Sequence, residues 1–158
     1  MFNDYTTTIT LDAPAETVYA AINDPRSWWG EGIEGSTAQV GDRFIHEVVP
    51  VHWAKLEVVE LTPNEKVAWR VIENRFDFVE DQNEWVGSTI TFELTPKESG
   101  TEVRFEHKGL TLDDECYEVC SNAWSSLMHT SLPHLIESGV GEPYAATFDE
   151  HREPALEG

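Results

Sequence analysis

The chain has 158 residues, a length typical of one domain that buries a substantial core. Thirty acidic residues against ten basic ones give a formal net charge of −20, which argues against nucleic acid or an anionic membrane surface as a partner. An apolar content of 40% excludes a disordered chain, and no run approaches the roughly 18 apolar residues of a membrane span. The N-terminal sequence lacks the pattern of a signal peptide, so we expect a cytoplasmic protein.

The first part of the chain predicts a strand, a short helix and a loop. Residues 5–11 alternate apolar side chains with threonines, which is typical of a strand with one buried face. Residues 13–22 predict a helix that Asp12 caps, with Pro14 in its first turn. A loop with several glycines follows, and it carries the adjacent aromatic residues Trp28 and Trp29.

The middle of the chain predicts strands in hairpin order. Alternating apolar and polar residues place them at 44–49, 52–58, 67–71, 86–94 and 103–107. Residues 74–84 are mostly polar and predict a loop, while 96–100 predict a hairpin turn. Strands joined by successive hairpins pair in antiparallel fashion.

The longest predicted element is a helix from Thr111 to Glu137. Read at about 100° per residue, one stripe collects Tyr117, Cys120, Trp124, Leu127, Met128, Ser131 and Leu135. Gly139 and Gly141 end the helix, and Pro133 predicts a kink near its last turns. The mixed stripe fits either a core helix or a helix that lines a cavity.

Only this helix is long enough to cover the apolar face of the sheet. We therefore predict an α+β fold in which a curved antiparallel sheet of about six strands wraps around a long C-terminal helix, with short helices after the first strand. Residues 1–143 are predicted to form a single domain. The acidic, proline-containing residues 144–158 are predicted to form a poorly ordered tail.

Several stretches resemble a known family. They are Trp28-Trp29 with IEGST (33–37), GDRF (41–44), His52 at the hairpin, LTPNEKVAW (61–69), EWVGS (84–88), TEVRFEHKGL (101–110), ECYEVCSNAW (115–124) and SLPHLIESGVGEP (131–143), of which ECYEVCSNAW is the most specific. Together they resemble the START-like (SRPBCC) helix-grip superfamily and, within it, the AHSA1-like family related to the C-terminal domain of the Hsp90 ATPase activator Aha1. The resemblance implies a fold with an internal cavity. It implies little about a reaction, because superfamily members range from lipid carriers to cyclases.

Strict alternation places His46, His52 and His107 on the same face of the sheet as the apolar residues, opposite the helix stripe. This arrangement predicts a pocket for a small hydrophobic or aromatic ligand with a few polar contacts. The candidate ligand-binding residues are Trp28, Trp29, Phe44, His46, His52, Trp69, Phe92, Phe105, His107, Cys116, Tyr117, Cys120, Trp124 and Met128. For each histidine and both cysteines, a structural role in the core is the alternative. We expect the side chains of Trp28 and Trp29 to form either a mobile gate over the cavity or a hydrophobic plug that closes one end of the core.

Motifs for specific chemistry are sparse. The chain has neither paired CxxC elements nor HExxH, so no metal or cofactor is predicted. It has no G-x-S-x-G elbow and no glycine loop that would hold a phosphate, and no catalytic residue is predicted. Cys120 with His107 is the one nucleophile–base pair that the pattern offers.

Three functional hypotheses remain open. The first is a non-catalytic protein that senses or carries a small hydrophobic ligand. The second is a protein–protein role on a chaperone ATPase, as the family resemblance implies. The third is an enzyme that uses His107, His52 or Cys120 in the cavity. The acidic excess is a surface property and leads to a separate hypothesis, adaptation to high salt.

Overall fold

A computed structural model of the protein describes residues 4–49, 52–77, 85–111 and 117–144. Strands and helices follow one another along the chain as β1 (Tyr5–Leu11), α1 (Ala15–Ile22), α2 (Pro25–Trp28), β2 (Ile33–Gly35), β3 (Arg43–Val48), β4 (His52–Thr62), β5 (Lys66–Phe76), β6 (Thr89–Lys97), β7 (Gly100–Lys108), α3 (Tyr117–Ser126), a π-helical turn (Leu127–Ser131) and α4 (Leu132–Ser138).

The strands form one open sheet in the order β1-β7-β6-β5-β4-β3-β2. All neighbouring strands are antiparallel. The helices pack against one face, which confirms the predicted α+β fold. The sheet has seven strands rather than about six, because β2 lies in the predicted glycine loop. Strand β2 is only 3 residues long, too short for its alternation to be seen in sequence.

Several strand boundaries differ from the sequence prediction, and two of these differences bear on the site. Strand β5 continues to Phe76, where the polar composition predicted a loop from residue 74. Its pairing with β4 extends this far, with His52 opposite Phe76. Strand β6 begins at Thr89 rather than Val86, and the turn that precedes it places Trp85 in the core.

The predicted long helix contains a π-helical turn. The N–H of Leu132 bonds to the carbonyl of Leu127, the wider spacing of a π-helix. Pro133 follows directly and cannot donate a backbone hydrogen bond, so the irregularity predicted at this proline begins upstream of it. The predicted stripe faces the core, with Cys120, Trp124 and Met128 buried. Residues 112–116, at the predicted helix start, lie outside the described residues.

After α4 the chain turns back along the segment that carries Trp29. We call residues 139–144 the C-terminal strap. Tyr144 accepts from the N–H of Glu31 at 2.8 Å, and its own N–H donates to the carbonyl of Trp29 at 3.0 Å. Tyr144, the first residue of the predicted tail, is buried. Residues 145–158 lie outside the described residues.

The strap is fixed to the helix by one serine. Ser131 Oγ donates to the carbonyl of Trp28 at 2.7 Å and accepts from the N–H of Glu142 at 2.8 Å. Gly141 allows the close approach, since a Cβ at this position would lie 2.2 Å from the carbonyl oxygen of Ser27. The strap therefore closes one end of the space between sheet and helix.

Candidate functional site

A cavity of about 30 Å³ lies between the sheet, helix α3 and the C-terminal strap. Its lining is almost entirely aromatic or apolar. Five of the predicted ligand-binding residues line it: Trp29, His46, His52, Cys120 and Trp124. Space of this size is about that of one water molecule, so the core is nearly filled in this conformation.

His46 is one of the polar groups of the cavity that have no hydrogen-bond partner among the described residues. Its side chain is 2% exposed, and neither ring nitrogen has a hydrogen-bond partner within the part of the chain that the structure describes. The ring stacks on Trp29 with centroids 4.4 Å apart. Gly30 lets the backbone pass beside it, because a Cβ there would lie 2.8 Å from Nε2.

Burial holds the pKa of His46 well below its usual range, with a further contribution from neighbouring His52. The imidazole is therefore neutral near pH 7, and it presents one N–H donor and one acceptor nitrogen. Neither nitrogen is engaged by a described residue.

One of the two ring nitrogens of His52 has a hydrogen-bond partner. Its Nε2 lies 2.7 Å from Oδ1 of Asn74, which assigns the proton to Nε2 and the lone pair to Nδ1. Burial lowers the pKa of His52 to about 4, although the Asn74 hydrogen bond opposes this shift. Its ring stacks on Phe76 at 4.1 Å and meets the edge of Trp85 at 4.8 Å.

His107 is fully satisfied and lies outside the cavity lining. The indole N–H of Trp124 donates to its Nδ1 at 3.0 Å, and its Nε2–H donates to Ser88 Oγ at 2.8 Å. The hydroxyl of Ser88 then donates to the carbonyl of Trp85. Burial lowers the pKa of His107 to about 3. Its acceptor nitrogen is engaged by Trp124, so the predicted pair of Cys120 with His107 has no lone pair for a thiol proton.

Trp85 supplies a second unsatisfied donor. Its ring is 4% exposed, and Nε1 has no hydrogen-bond partner among the described residues. The ring packs edge-on against His107 at 4.6 Å and stacks on Trp124 at 6.1 Å. Among the residues that line the cavity, Trp85 therefore carries an unpartnered indole N–H in addition to the imidazole of His46.

The other predicted site residues that the structure describes do not line the cavity. Fully buried in the core are Trp28, Phe44, Trp69, Phe92, Phe105, His107 and Met128. Tyr117 is half-buried at the start of α3, and Cys116 lies outside the described residues. Trp29 is parallel to Trp69 at 5.8 Å as well as to His46. Of the two alternatives for Trp28 and Trp29, this conformation corresponds to the plug.

Six lining residues were not among the predicted ones: Phe76, Trp85, Val119, Ala123, Leu127 and Tyr144. Leu127 lay on the predicted stripe and could have been chosen by position. Trp85 lies in one of the family-like stretches, but no alternation marked it as inward-facing. Tyr144 follows the helix in an acidic region, where nothing in the pattern indicated burial.

Neither a metal centre nor a membrane helix is found in the described ranges. No group of three or more histidine, cysteine, aspartate or glutamate side chains among residues 4–49, 52–77, 85–111 and 117–144 could hold a metal ion. Within the same residues, no helix is long and apolar enough to cross a membrane.

An antiparallel sheet folded against a long C-terminal helix, with an aromatic-lined cavity between them, defines a protein of the helix-grip class. The sequence model described as "Activator of Hsp90 ATPase homolog 1-like protein" matches residues 12–137. The chain therefore belongs to the AHSA1 family, as its resemblance implied.

Solved structures share this fold. The Aha1 dimer from Colwellia psychrerythraea is 25% identical, with a TM-score of 0.72 over 88% of this chain and 99% of that one. A protein from Mesorhizobium loti is 20% identical, with a TM-score of 0.68 over 85% and 96%. A protein from Staphylococcus saprophyticus is also 20% identical, with a TM-score of 0.67 over 92% and 98%. No curated protein sequence matches the chain.

Proposed function

We propose that the protein is a non-catalytic binding protein that senses or carries a small hydrophobic or aromatic molecule in the cavity between sheet and helix. The observation that carries this proposal is the buried imidazole of His46, whose two nitrogens have no partner among the described residues. In a chain selected for stability alone, an apolar ring would serve better at this position.

The free-energy cost of the unsatisfied imidazole favours ligand binding. A buried polar group without a hydrogen bond costs about 1–3 kcal/mol, and a ligand that bonds to it recovers that free energy on binding. The aromatic walls contribute dispersion and apolar burial, while the imidazole fixes orientation. A ligand with one aromatic ring and one hydroxyl or carbonyl group matches both features.

The cavity must enlarge to admit such a molecule, because about 30 Å³ accommodates little more than one water. The π-helical turn begins at Leu127, which itself lines the cavity. Single π-turns in helices are frequent at functional sites, and they give a helix an irregular segment that can adjust. This segment supports a site that opens on binding.

A ligand screen with two matched variants tests the proposal. Wild type, His46→Phe and His52→Phe are titrated with single-ring phenols and small ketones, and the Trp85 indole Nε1–H signal is followed by ¹⁵N NMR. We expect saturable shifts in wild type that are lost in His46→Phe. A library that moves no cavity signal in folded wild type, or binding that His46→Phe retains in full, contradicts the proposal.

A second candidate function is regulation of a chaperone ATPase. It is favoured by the description of the family model and by the Aha1 dimer at 25% identity. It is tested by measuring the ATP turnover of an Hsp90-type chaperone with and without the protein. An unchanged rate at saturating protein would exclude this candidate, and a rate that responds equally to wild type and His46→Phe would separate it from ligand binding.

A further inference from the structure

We propose that Tyr144 is a tethered occupant of the ligand site, and that the ligand is a neutral, phenol-sized aromatic that replaces its ring when the C-terminal strap releases. This inference rests on the proposed binding function and adds to it the ligand class and the means of opening. It starts from the position of one side chain. Tyr144 is 4% exposed, lines the cavity, and comes from the strap rather than from the sheet or the helix.

The strap is held mainly by polar contacts. Among residues 139–144, Tyr144 is the only buried side chain, and Val140 is 65% exposed. The strap is attached to the rest of the fold by the two backbone bonds of Tyr144 to Trp29 and Glu31, the bond from Glu142 to Ser131, the bond from the Tyr144 hydroxyl to Ala123, and an exposed contact of Glu142 with His134 at 3.9 Å. Its first residues also bond to the end of α4, from Gly139 to Leu135 and from Val140 to Ser138. Each such bond contributes little net free energy because the released groups bond to water instead, so the strap can release without unfolding the sheet.

Release would expose the segment that covers the unsatisfied imidazole of His46. The strap pairs with the segment of Trp29 and Gly30, and these two residues lie directly against the imidazole of His46. Withdrawal of the strap would therefore remove one ring from the cavity and expose the backbone that covers Nε2 of His46. The space gained is that of a phenol ring in addition to the existing cavity.

The phenol ring of Tyr144 does not satisfy the unpartnered polar groups of the site. Its hydroxyl donates to the carbonyl of Ala123 across 3.4 Å, a long hydrogen bond, while His46 and Trp85 stay unpartnered among the described residues. A free phenol is able to turn its hydroxyl towards these groups. No lysine or arginine among the described residues lines the cavity, so a buried carboxylate would lack a counter-ion and a neutral ligand is favoured.

The occupant model sets the expected affinity difference. If the open state is populated to about a tenth or less, wild type binds about tenfold or more weakly than a variant without the ring. Phenol is therefore titrated into wild type, Tyr144→Ala and Ser131→Ala by calorimetry, with amide signals of residues 29–31 and 142–144 followed by NMR. Ser131→Ala keeps the Tyr144 ring but loses the hydrogen bond that anchors Glu142. It replaces Tyr144→Ala in the comparison if that variant does not fold.

Matched variants separate occupancy from simple cavity filling. Phe92→Ala removes a ring from the packed core away from the cavity, and Tyr144→Phe retains the occupant. We expect phenol to bind Tyr144→Ala and Ser131→Ala about tenfold more tightly than wild type or Tyr144→Phe, with strap amides shifting in wild type on binding. Equal rescue of Phe92→Ala and Tyr144→Ala by phenol, measured as a rise in melting temperature, would overturn the inference.

The experiments distinguish a failure of the tethered-occupant inference from a failure of the proposed binding function. Equal phenol affinity in wild type and both strap variants, with binding still lost in His46→Phe, overturns the tethered occupant and leaves the binding function standing. Binding to Tyr144→Ala that is unaffected by an added His46→Phe change overturns the His46-anchored site. Absence of phenol binding in all folded variants overturns both.

Discussion

Trp124 donates its indole N–H to Nδ1 of His107 across 3.0 Å, which ties helix α3 to strand β7 inside the core. His46 lies on the same inner face of the sheet and has no such partner among the described residues. Two buried imidazoles in one core thus differ in hydrogen bonding, and only that of His46 lines the cavity. This difference separates a structural histidine from a candidate ligand-binding one, and it leads to opposite predictions for the same substitution.

Replacing His46 with phenylalanine is expected to stabilise the fold by about 1–3 kcal/mol, because an unsatisfied polar ring becomes apolar. The adjacent cavity gives room for the larger ring. For a chain of this length, each kcal/mol raises the melting temperature by about 2–4 °C. Calorimetric melting of wild type and His46→Phe checks this, and a lower melting temperature in the variant contradicts it.

Replacing His107 with phenylalanine is expected to destabilise the fold by about 1–3 kcal/mol, because the Trp124 indole N–H is left buried without an acceptor. Urea unfolding monitored by circular dichroism measures the change. Ser88→Ala is the control: it removes the other partner of His107 but leaves the contact with Trp124. A His107→Phe variant as stable as wild type would refute the structural role.

Acid is expected to destabilise the protein through its buried histidines. Their pKa values in the folded state lie below the ordinary value of about 6.5, at about 4 for His52 and about 3 for His107. The unfolded chain binds these protons first, so the stabilisation is complete above about pH 6.5 and is lost progressively as the pH falls towards 4 and 3.

The contribution of one histidine is measurable by difference. Each such group adds at most about 1.4 kcal/mol per pH unit to the slope of unfolding free energy in that window. His107→Phe should therefore show a shallower slope between about pH 6 and pH 4 than wild type by up to that amount. Urea unfolding at a series of pH values tests this, and parallel slopes contradict it.

Salt is expected to stabilise the fold. With a net charge of −20, self-repulsion opposes compaction, and ion pairs such as Arg43 with Glu57 lie at the exposed surface. Screening shortens the Debye length from about 30 Å at 0.01 M salt to about 3 Å at 1 M. The melting temperature should rise over this range of sodium chloride; sulfate is avoided because it stabilises most proteins by exclusion. A flat response contradicts the prediction.

Gly141→Ala is expected to loosen the C-terminal strap, because the added methyl group would lie 2.2 Å from the carbonyl oxygen of Ser27. Hydrogen exchange at the amides of Glu31 and Tyr144 should accelerate relative to wild type. Gly139→Ala is the control, since a Cβ there meets nothing within 4 Å although its φ of 84° adds strain. Equal protection in wild type and Gly141→Ala would show that the strap does not depend on this contact.

The layout of the fold could be predicted because it depends on periodicity. Alternation placed His46, His52 and His107 on the inner face, and the 3.6-residue stripe placed Cys120 and Trp124 opposite them. These signals lie within single elements. The α+β architecture followed from the order of elements and the need to cover one sheet face.

The interior of the site could not be predicted to the same degree. Whether His46 or His107 is satisfied depends on the tertiary contact with Trp124, which no local pattern encodes. Trp85 reaches the cavity from a turn and Tyr144 reaches it from the strap, and neither segment has the regular spacing of apolar residues that marks a helix or a strand. The sequence predicted a cavity but not its small volume, because the space that Trp29 and Tyr144 fill depends on tertiary contacts.

The proposed binding function requires that the His46 imidazole stays without a hydrogen-bond partner until a ligand binds. The most direct measurement is the ¹⁵N chemical shifts of the histidine ring nitrogens, recorded with and without saturating phenol. We predict that the His46 nitrogens shift on binding while those of His107, already bonded to Trp124 and Ser88, do not. His46 signals that stay unchanged at saturation, or that show a fixed hydrogen bond in the absence of any ligand, would contradict the claim.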